Sequence, residues 1–349
     1  MKKRIIALTI VIFVAAIIVS GIIIFIDNTR HTNSNNTNSS SADDKLSSWL
    51  NTPHSSQADD VTDVENIESN KNSANVTMEL GQIAKQGKYI YFLNSGKVIE
   101  YDIDTGVAIE LNSSNTVMFS MAASDNYIYF APMGGGGVNR IAKDSNTVEI
   151  VFKSDCNRDV YIEGNNAFYY KYGKALYHRD IISDTETLLV EGHVKTFFID
   201  ENNIYVILQH NESGTDSFTL MKSPRDNIEF TKVPLSFSPI AVFAHGDDLY
   251  LSKMGQWEVV KVSDGVETEL PIKSLSYQVV GNKLIYSDTF GKLKIYDLTT
   301  AETATIYEGK STGLYVLDAR YVCYTAFGVD WYKLYDLETG ETKLIYGEE

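Results

Sequence analysis

The side chains that could carry chemistry are few and scattered in this chain. Six histidines, His31, His54, His178, His193, His210 and His245, include no His-x-x-x-His or His-Glu-x-x-His spacing, so no helix face is set up to hold zinc. His178-Arg179-Asp180 shares letters with a kinase catalytic loop but lies in a strand-like run without the Asn or Lys context of that loop. Gly134 to Gly137 would cradle phosphate if Gly-Lys-Ser/Thr opened a helix behind it; Val138-Asn139-Arg140-Ile141 instead predicts a strand, and the glycines a hairpin tip. Asp102 and Asp104 lack the further oxygen donors and closing Glu of a calcium loop. They predict a turn in which Asp caps the backbone and Gly106 takes a positive φ. Carboxylates are plentiful, yet glycan cleavage needs two to converge, and no spacing brings two together. The only cysteines are Cys156 and Cys323. They fall in non-neighbouring units of the repeat described next, which predicts free thiols, with Cys323 a core residue. No residue is assigned a catalytic or metal-binding role, and no cofactor is expected.

These residues are set in a repeat. Its marker is a tyrosine inside an apolar run: Tyr91, Tyr129, Tyr169, Tyr205, Tyr250, Tyr286 and Tyr324. A glycine falls in the turn after each: Gly96, Gly134 to Gly137, Gly173, Gly214, Gly255, Gly291 and Gly328. The runs alternate, as in Lys292-Leu293-Lys294-Ile295, and are rich in Val, Ile, Tyr and Thr, which suits a pleated, half-buried surface rather than a helix. The unit around Tyr129 holds four such runs, Val117–Ala122, Tyr127–Phe130, Val138–Ala142 and Val148–Phe152. Four antiparallel strands in about 40 residues make a β-propeller blade. The fold class is therefore all-β, a propeller of seven four-stranded blades, with six or eight as competing counts. It spans residues 76–349. Val76–Ile83 is expected as the innermost strand of the first blade and Glu341–Tyr346 as the outermost strand of the last, so that the ring closes without exchanging a strand.

Two segments precede it. In residues 1–26, Lys2, Lys3 and Arg4 are followed by an uncharged run from Ile5 to Ile26, long enough to cross a hydrocarbon core of about 30 Å as one transmembrane helix. The basic flank predicts a cytoplasmic N-terminus, and the long run, with no small-x-small site at its end, predicts an uncleaved anchor rather than a signal peptide. In residues 27–75, Asn, Ser, Thr and Asp fill 31 of the 49 positions, a composition that cannot bury enough apolar surface to order itself. This reads as a polar, disordered tether. Leu46, Trp49 and Leu50 are its one apolar cluster.

The stretch Ile285-Tyr286-Ser287-Asp288-Thr289-Phe290-Gly291-Lys292-Leu293-Lys294-Ile295-Tyr296-Asp297-Leu298 resembles the YWTD repeat of low-density-lipoprotein-receptor propellers. The order anchor, polar linker, tyrosine-rich repeats is similar to that of membrane-anchored bacterial propeller proteins of uncharacterised function. The receptor propellers have six blades where seven markers are counted here. The resemblance implies a binding platform outside the cell rather than a particular reaction.

The formal net charge is −16, with no basic stripe, which argues against a nucleic-acid partner. In a propeller the turns between second and third strands gather around one mouth of the central funnel, the usual place for a ligand. Those turns carry Met133, Tyr172, His210, Met254, Trp257, Phe290, Phe327 and Trp331, side chains suited to contact with a protein or glycan. The expected function is non-catalytic binding or scaffolding outside the cell, from the cell membrane. The alternative is an extracytoplasmic carbohydrate-active enzyme using funnel carboxylates.

Overall fold

In a computed structural model, the described residues are 83–348 apart from 95–96, 113–117, 133–135, 146, 155, 172–174, 213, 275 and 327–330. The anchor (1–26), the tether (27–75) and Val76 to Gln82 lie outside them. Among the described residues, twenty-eight strands form seven four-stranded antiparallel sheets, each from a contiguous stretch of chain. Blade 1 is β1 (Ile83–Gln86), β2 (Tyr89–Asn94), β3 (Lys97–Asp102) and β4 (Ala108–Asn112). Blade 2 is β5 (Met118–Ala123), β6 (Tyr127–Pro132), β7 (Val138–Ala142) and β8 (Val148–Phe152). Blade 3 is β9 (Cys156–Glu163), β10 (Asn166–Lys171), β11 (Ala175–Asp180) and β12 (Thr185–Glu191). Blade 4 is β13 (His193–Ile199), β14 (Asn203–Glu212), β15 (Thr215–Pro224) and the two-residue β16 (Thr231–Lys232). Blade 5 is β17 (Pro239–His245), β18 (Asp248–Lys253), β19 (Glu258–Ser263) and β20 (Val266–Lys273). Blade 6 is β21 (Ser276–Val280), β22 (Lys283–Ser287), β23 (Leu293–Asp297) and β24 (Thr303–Tyr307). Blade 7 is β25 (Ser311–Val316), β26 (Tyr321–Ala326), β27 (Tyr332–Asp336) and β28 (Thr342–Tyr346). The innermost strand of blade 1 begins at Ile83, where the sequence placed its end; Ile83 pairs with Phe92.

The core lies between blades, because both faces of each sheet are covered. Side chains alternate along a strand, so neighbouring residues of each second strand serve opposite interfaces. The third residue of the second strand (Tyr91, Tyr129, Phe168, Tyr205, Ile285, Cys323) packs toward the next blade, and the fourth (Phe92, Phe130, Tyr169, Val206, Tyr286, Tyr324) toward the previous one. The seven marker tyrosines are all buried, but they do not share one register. In blades 1, 2, 4 and 5 the marker is the third residue; in blades 3, 6 and 7 it is the fourth. That one-residue slip turns the ring to the opposite neighbour.

Blade 7 meets blade 1 by the same kind of packing. The Phe92 and Tyr332 rings lie 4.6 Å apart, Tyr346 stands edge-on to Phe92 at 5.5 Å, and the Tyr332 hydroxyl donates to the Leu93 carbonyl at 2.7 Å. Among the described residues the ring thus closes without strand exchange. Cys323 is buried in this interface, and burial pushes its thiol pKa up.

In blades 1, 3, 6 and 7 the turns between third and fourth strands share one construction. An aspartate closes the third strand and its Oδ1 accepts the backbone N–H groups two and three residues on, as at Asp102, Asp180, Asp297 and Asp336. The residue after it donates its N–H to the turn between first and second strands of the same blade, as Ile103 does to Lys88 and Leu337 to Arg320. Its side chain enters the interface with the previous blade: Ile103, Ile181, Leu298 and Leu337 do so as apolar wedges. In blade 2 the position is Lys143, whose ammonium donates to the Tyr91 hydroxyl at 2.7 Å. In blade 4 it is Arg225, which donates to the Asp200 carbonyl at 3.1 Å and pairs with Glu163.

Candidate functional site

The opposite end of the ring carries the turns between second and third strands together with the connections from each fourth strand to the next blade. Serines fasten these to one another. The backbone N–H of Ser154, Ser274 and Ser311, each preceded by a lysine, donates to the carbonyl of Gly136, Trp257 and Gly291 in the turn of the blade being left, at 3.4, 2.8 and 2.8 Å. The Ser274 hydroxyl accepts the Ser276 N–H at 3.1 Å and reaches the Ser287 carbonyl at 2.6 Å, while Ser252 donates to the Ser274 carbonyl at 2.7 Å. Ser238 links blades 4 and 5: its hydroxyl takes the Phe218 N–H at 2.6 Å and its carbonyl takes the Met254 N–H at 2.9 Å.

The candidate residues separate on this scaffold. Met254 and Trp257, in the β18–β19 turn, are each 43% exposed, and Phe290, in the β22–β23 turn of the adjoining blade, is 80% exposed. Phe290 stands at a turn tip held by Asp288, whose Oδ1 accepts the Phe290 and Lys292 N–H groups at 2.9 Å each. His210 is also exposed; it lies within β14, opposite Ser217, rather than in a turn. There the β14–β15 ladder runs on to Glu212 and Thr215, beyond the last β13 pairing at Gln209, so the hairpin arm projects past its neighbours. Trp331 is a correction. It is 6% exposed, edge-on to Tyr307 at 5.8 Å and Tyr324 at 6.0 Å, and it fills the blade 6–7 interface instead of presenting its ring. Met133, Tyr172 and Phe327 lie outside the described residues.

Charges around the blade 5 and blade 6 turns are paired. Lys253 meets Glu269, Lys273 meets Glu258 at 3.4 Å, Lys292 meets Glu308 at 2.5 Å, and Lys294 meets Asp288 at 2.7 Å. Burial raises the Asp288 carboxyl, but Lys294 and the turn N–H groups outweigh it and leave its pKa below the ordinary value. Hydrogen bonds and ion pairs likewise hold Asp102, Asp180, Glu186, Asp248, Glu267, Asp297 and Asp336 below the ordinary carboxyl range. A proton-donating carboxyl for glycan cleavage needs the opposite shift. Among the described residues no three His, Cys, Asp or Glu side chains group in a way that would hold a metal ion.

One feature of the face had no signal in composition. Trp257 has φ +59°, a left-handed conformation that costs a residue with a Cβ about 1–2 kcal/mol. Gly136 and Gly291, whose carbonyls also receive a connection serine, have φ of 110° and 84°. The repeated lysine-serine pair at 153–154, 273–274 and 310–311 was the available clue to these fastenings.

No family model matches the chain, and no curated protein matches its sequence. Among solved structures, an oligogalacturonate lyase in complex with manganese superposes with a TM-score of 0.53 at 10% identity, over 80% of this chain and 89% of the lyase. PorZ, a bacterial surface component of the type-IX secretion system of Porphyromonas gingivalis, gives 0.52 at 11% identity, over 78% of this chain and 38% of PorZ. The extracellular domain of a protein described as a one-component system of B. thetaiotaomicron gives 0.52 at 13% identity, over 81% of this chain and 44% of that one. At these identities the shared property is the propeller fold, on neighbours of varied roles.

Proposed function

We propose that this protein is a non-catalytic recognition module held at the cell membrane, which docks a protein or glycan ligand on the face carrying its second-to-third-strand turns. The observation that carries the reading is the exposure of Met254, Trp257 and Phe290 on turns of two adjoining blades. Aromatic and Met side chains give large contact area at low entropy cost. The pairing of the carboxylates with lysines there, and the lowered Asp288 carboxyl among them, weigh against proton-transfer chemistry. In this reading the run Ile5–Ile26 anchors the chain with its N-terminus inside, and residues 27–75 give the propeller reach: a flexible coil of that length spans about 40 Å on average.

The test compares the wild-type protein with M254S/W257S/F290S as bait on envelope extracts, analysing retained material for both protein and carbohydrate. The expected outcome is material held by the wild type and lost from the triple variant. Identical retention by both would refute a ligand site on this face. Protease accessibility of the propeller in intact cells, with alkaline extraction of membranes, checks the anchor and its orientation.

A further inference from the structure

Trp257 is a poor choice for the turn in which it stands. The three residues whose carbonyls receive a connection serine N–H all have positive φ, and two of them are Gly136 and Gly291. Glycine adopts such a backbone freely, whereas a bulky residue there is strained. Burial does not offset the strain, because 43% of Trp257 remains exposed and its ring stacks on no other aromatic ring among the described residues.

The strained backbone is nevertheless fixed from both sides. The Trp257 N–H donates to the Lys253 carbonyl at 3.1 Å, and its carbonyl accepts the Ser274 N–H at 2.8 Å. Strain that the surroundings over-determine is characteristic of ligand clamps. The result is a flat, exposed ring on a rigid backbone. Glu258 follows it in sequence, and Lys273 adjoins Ser274. These two pair at 3.4 Å, and Lys253, at the start of the turn, pairs with Glu269. The turn that carries the ring is thus bordered by two ion pairs whose charges cancel. Such pairing favours a neutral ligand over a charged one.

We propose that Trp257 is a stacking platform for one ring of a neutral saccharide, with Glu258 and Lys273 offering hydrogen bonds at the sugar's edge and Phe290 a second aromatic contact. A pyranose has an apolar C–H face and a rim of hydroxyls. The first packs on an aromatic face and the second needs a few placed polar groups. The inference rests on the recognition reading of this face and adds the ligand class.

The experiment uses the full-length protein in a non-glycosidic detergent. The probes are malto-, cello-, xylo- and N-acetylchito-hexaose. Binding is read by the indole N–H signals, with Trp257 assigned through W257F, and stability by thermal unfolding. We expect a saturable shift of the Trp257 signal with at least one probe while Trp331 stays fixed. W257G should weaken that probe at least tenfold and leave the Tm unchanged or higher. F290A should weaken it without lowering the Tm, which keeps the test independent of how W257G folds.

A W257G protein with a lowered Tm would make Trp257 a packing residue and overturn the strain argument. Undiminished binding by W257G, or saturable binding by none of the four probes, would overturn the platform. Envelope protein held by the wild type and lost from M254S/W257S/F290S, with no probe bound, would overturn the saccharide and leave the recognition reading standing. Failure of both experiments would remove both.

Discussion

Small differences in residue choice mark where this propeller is merely built and where it is spent on something else. The Asp-capped turns provide the internal comparison. Gly106 and Gly340 donate their N–H groups to the carbonyls of Asp102 and Asp336 from φ of 72° and 76°; Ala301 makes the same bond to Asp297 from φ 60°. Ala301 is exposed and has no evident reason to be anything but glycine. Ala301→Gly is therefore expected to stabilise the fold by about 0.5–1 kcal/mol. The relieved left-handed strain exceeds the added freedom of the unfolded chain. Denaturant titration of the variant would check it, and a loss of stability would show that the alanine methyl packs. The same residue scale limited what could be read beforehand. Met254, Trp257 and Phe290 are candidates by type and turn position, but Trp331 carries the same signals and is buried. Lys333 over the Trp331 ring at 4.8 Å and the rings of Tyr307 and Tyr324 beside it arise from tertiary placement that no local pattern encodes.

Turns and connections, more than strands, distinguish one blade from another. Ser274 is almost fully buried, and its hydroxyl alone joins the Ser276 N–H and the Ser287 carbonyl. Ser274→Ala leaves both to find new partners and should cost about 1–3 kcal/mol, with the face between blades 5 and 6 exchanging amide hydrogens faster. Most of the acid response belongs to the opposite end of the ring. Asp336 is held low by Arg320 and by the Glu338 and Thr339 N–H groups, Asp297 by the Thr300 and Thr299 N–H groups and Asn282, and Asp102 by Lys88 and its own turn N–H groups. A folded pKa below the unfolded value of about 3.9 contributes stability above that pH, which is lost as pH falls through the folded value. The Tm should therefore drop as pH falls below about 4. Asp297→Asn, which keeps the accepting oxygen but not the charge, should shallow that drop; an unchanged acid limb would exclude Asp297 from it. Strand number and blade number were legible in the sequence because alternation and a glycine turn recur in every unit. Register was not: the tyrosine markers look alike in sequence, yet Tyr169, Tyr286 and Tyr324 stand one residue later in their strands than the others and face the opposite neighbour.

For the ring as a whole, the seam between blade 7 and blade 1 matters most. Many closed sheets hide their ends by mixing strands from both termini. Here the last strand of blade 7 is β28 and the first of blade 1 is β1, each in its own sheet. Phe92, Tyr332, Tyr346 and the bond from Tyr332 to Leu93 do the joining. Blade 7 thus meets blade 1 much as blade 3 meets blade 4, so the blade at which the chain starts is expected not to matter. Tyr346 joined to Ile83 by a linker as short as the natural connections, with new ends opened at Gly192 between β12 and β13, leaves all seven sheets contiguous. That circular permutant should fold to the same ring and unfold in one transition close to that of the parent. Two transitions, or failure to fold, would reveal a starting blade on which the others depend. A molecule with this property has a first residue but no first blade.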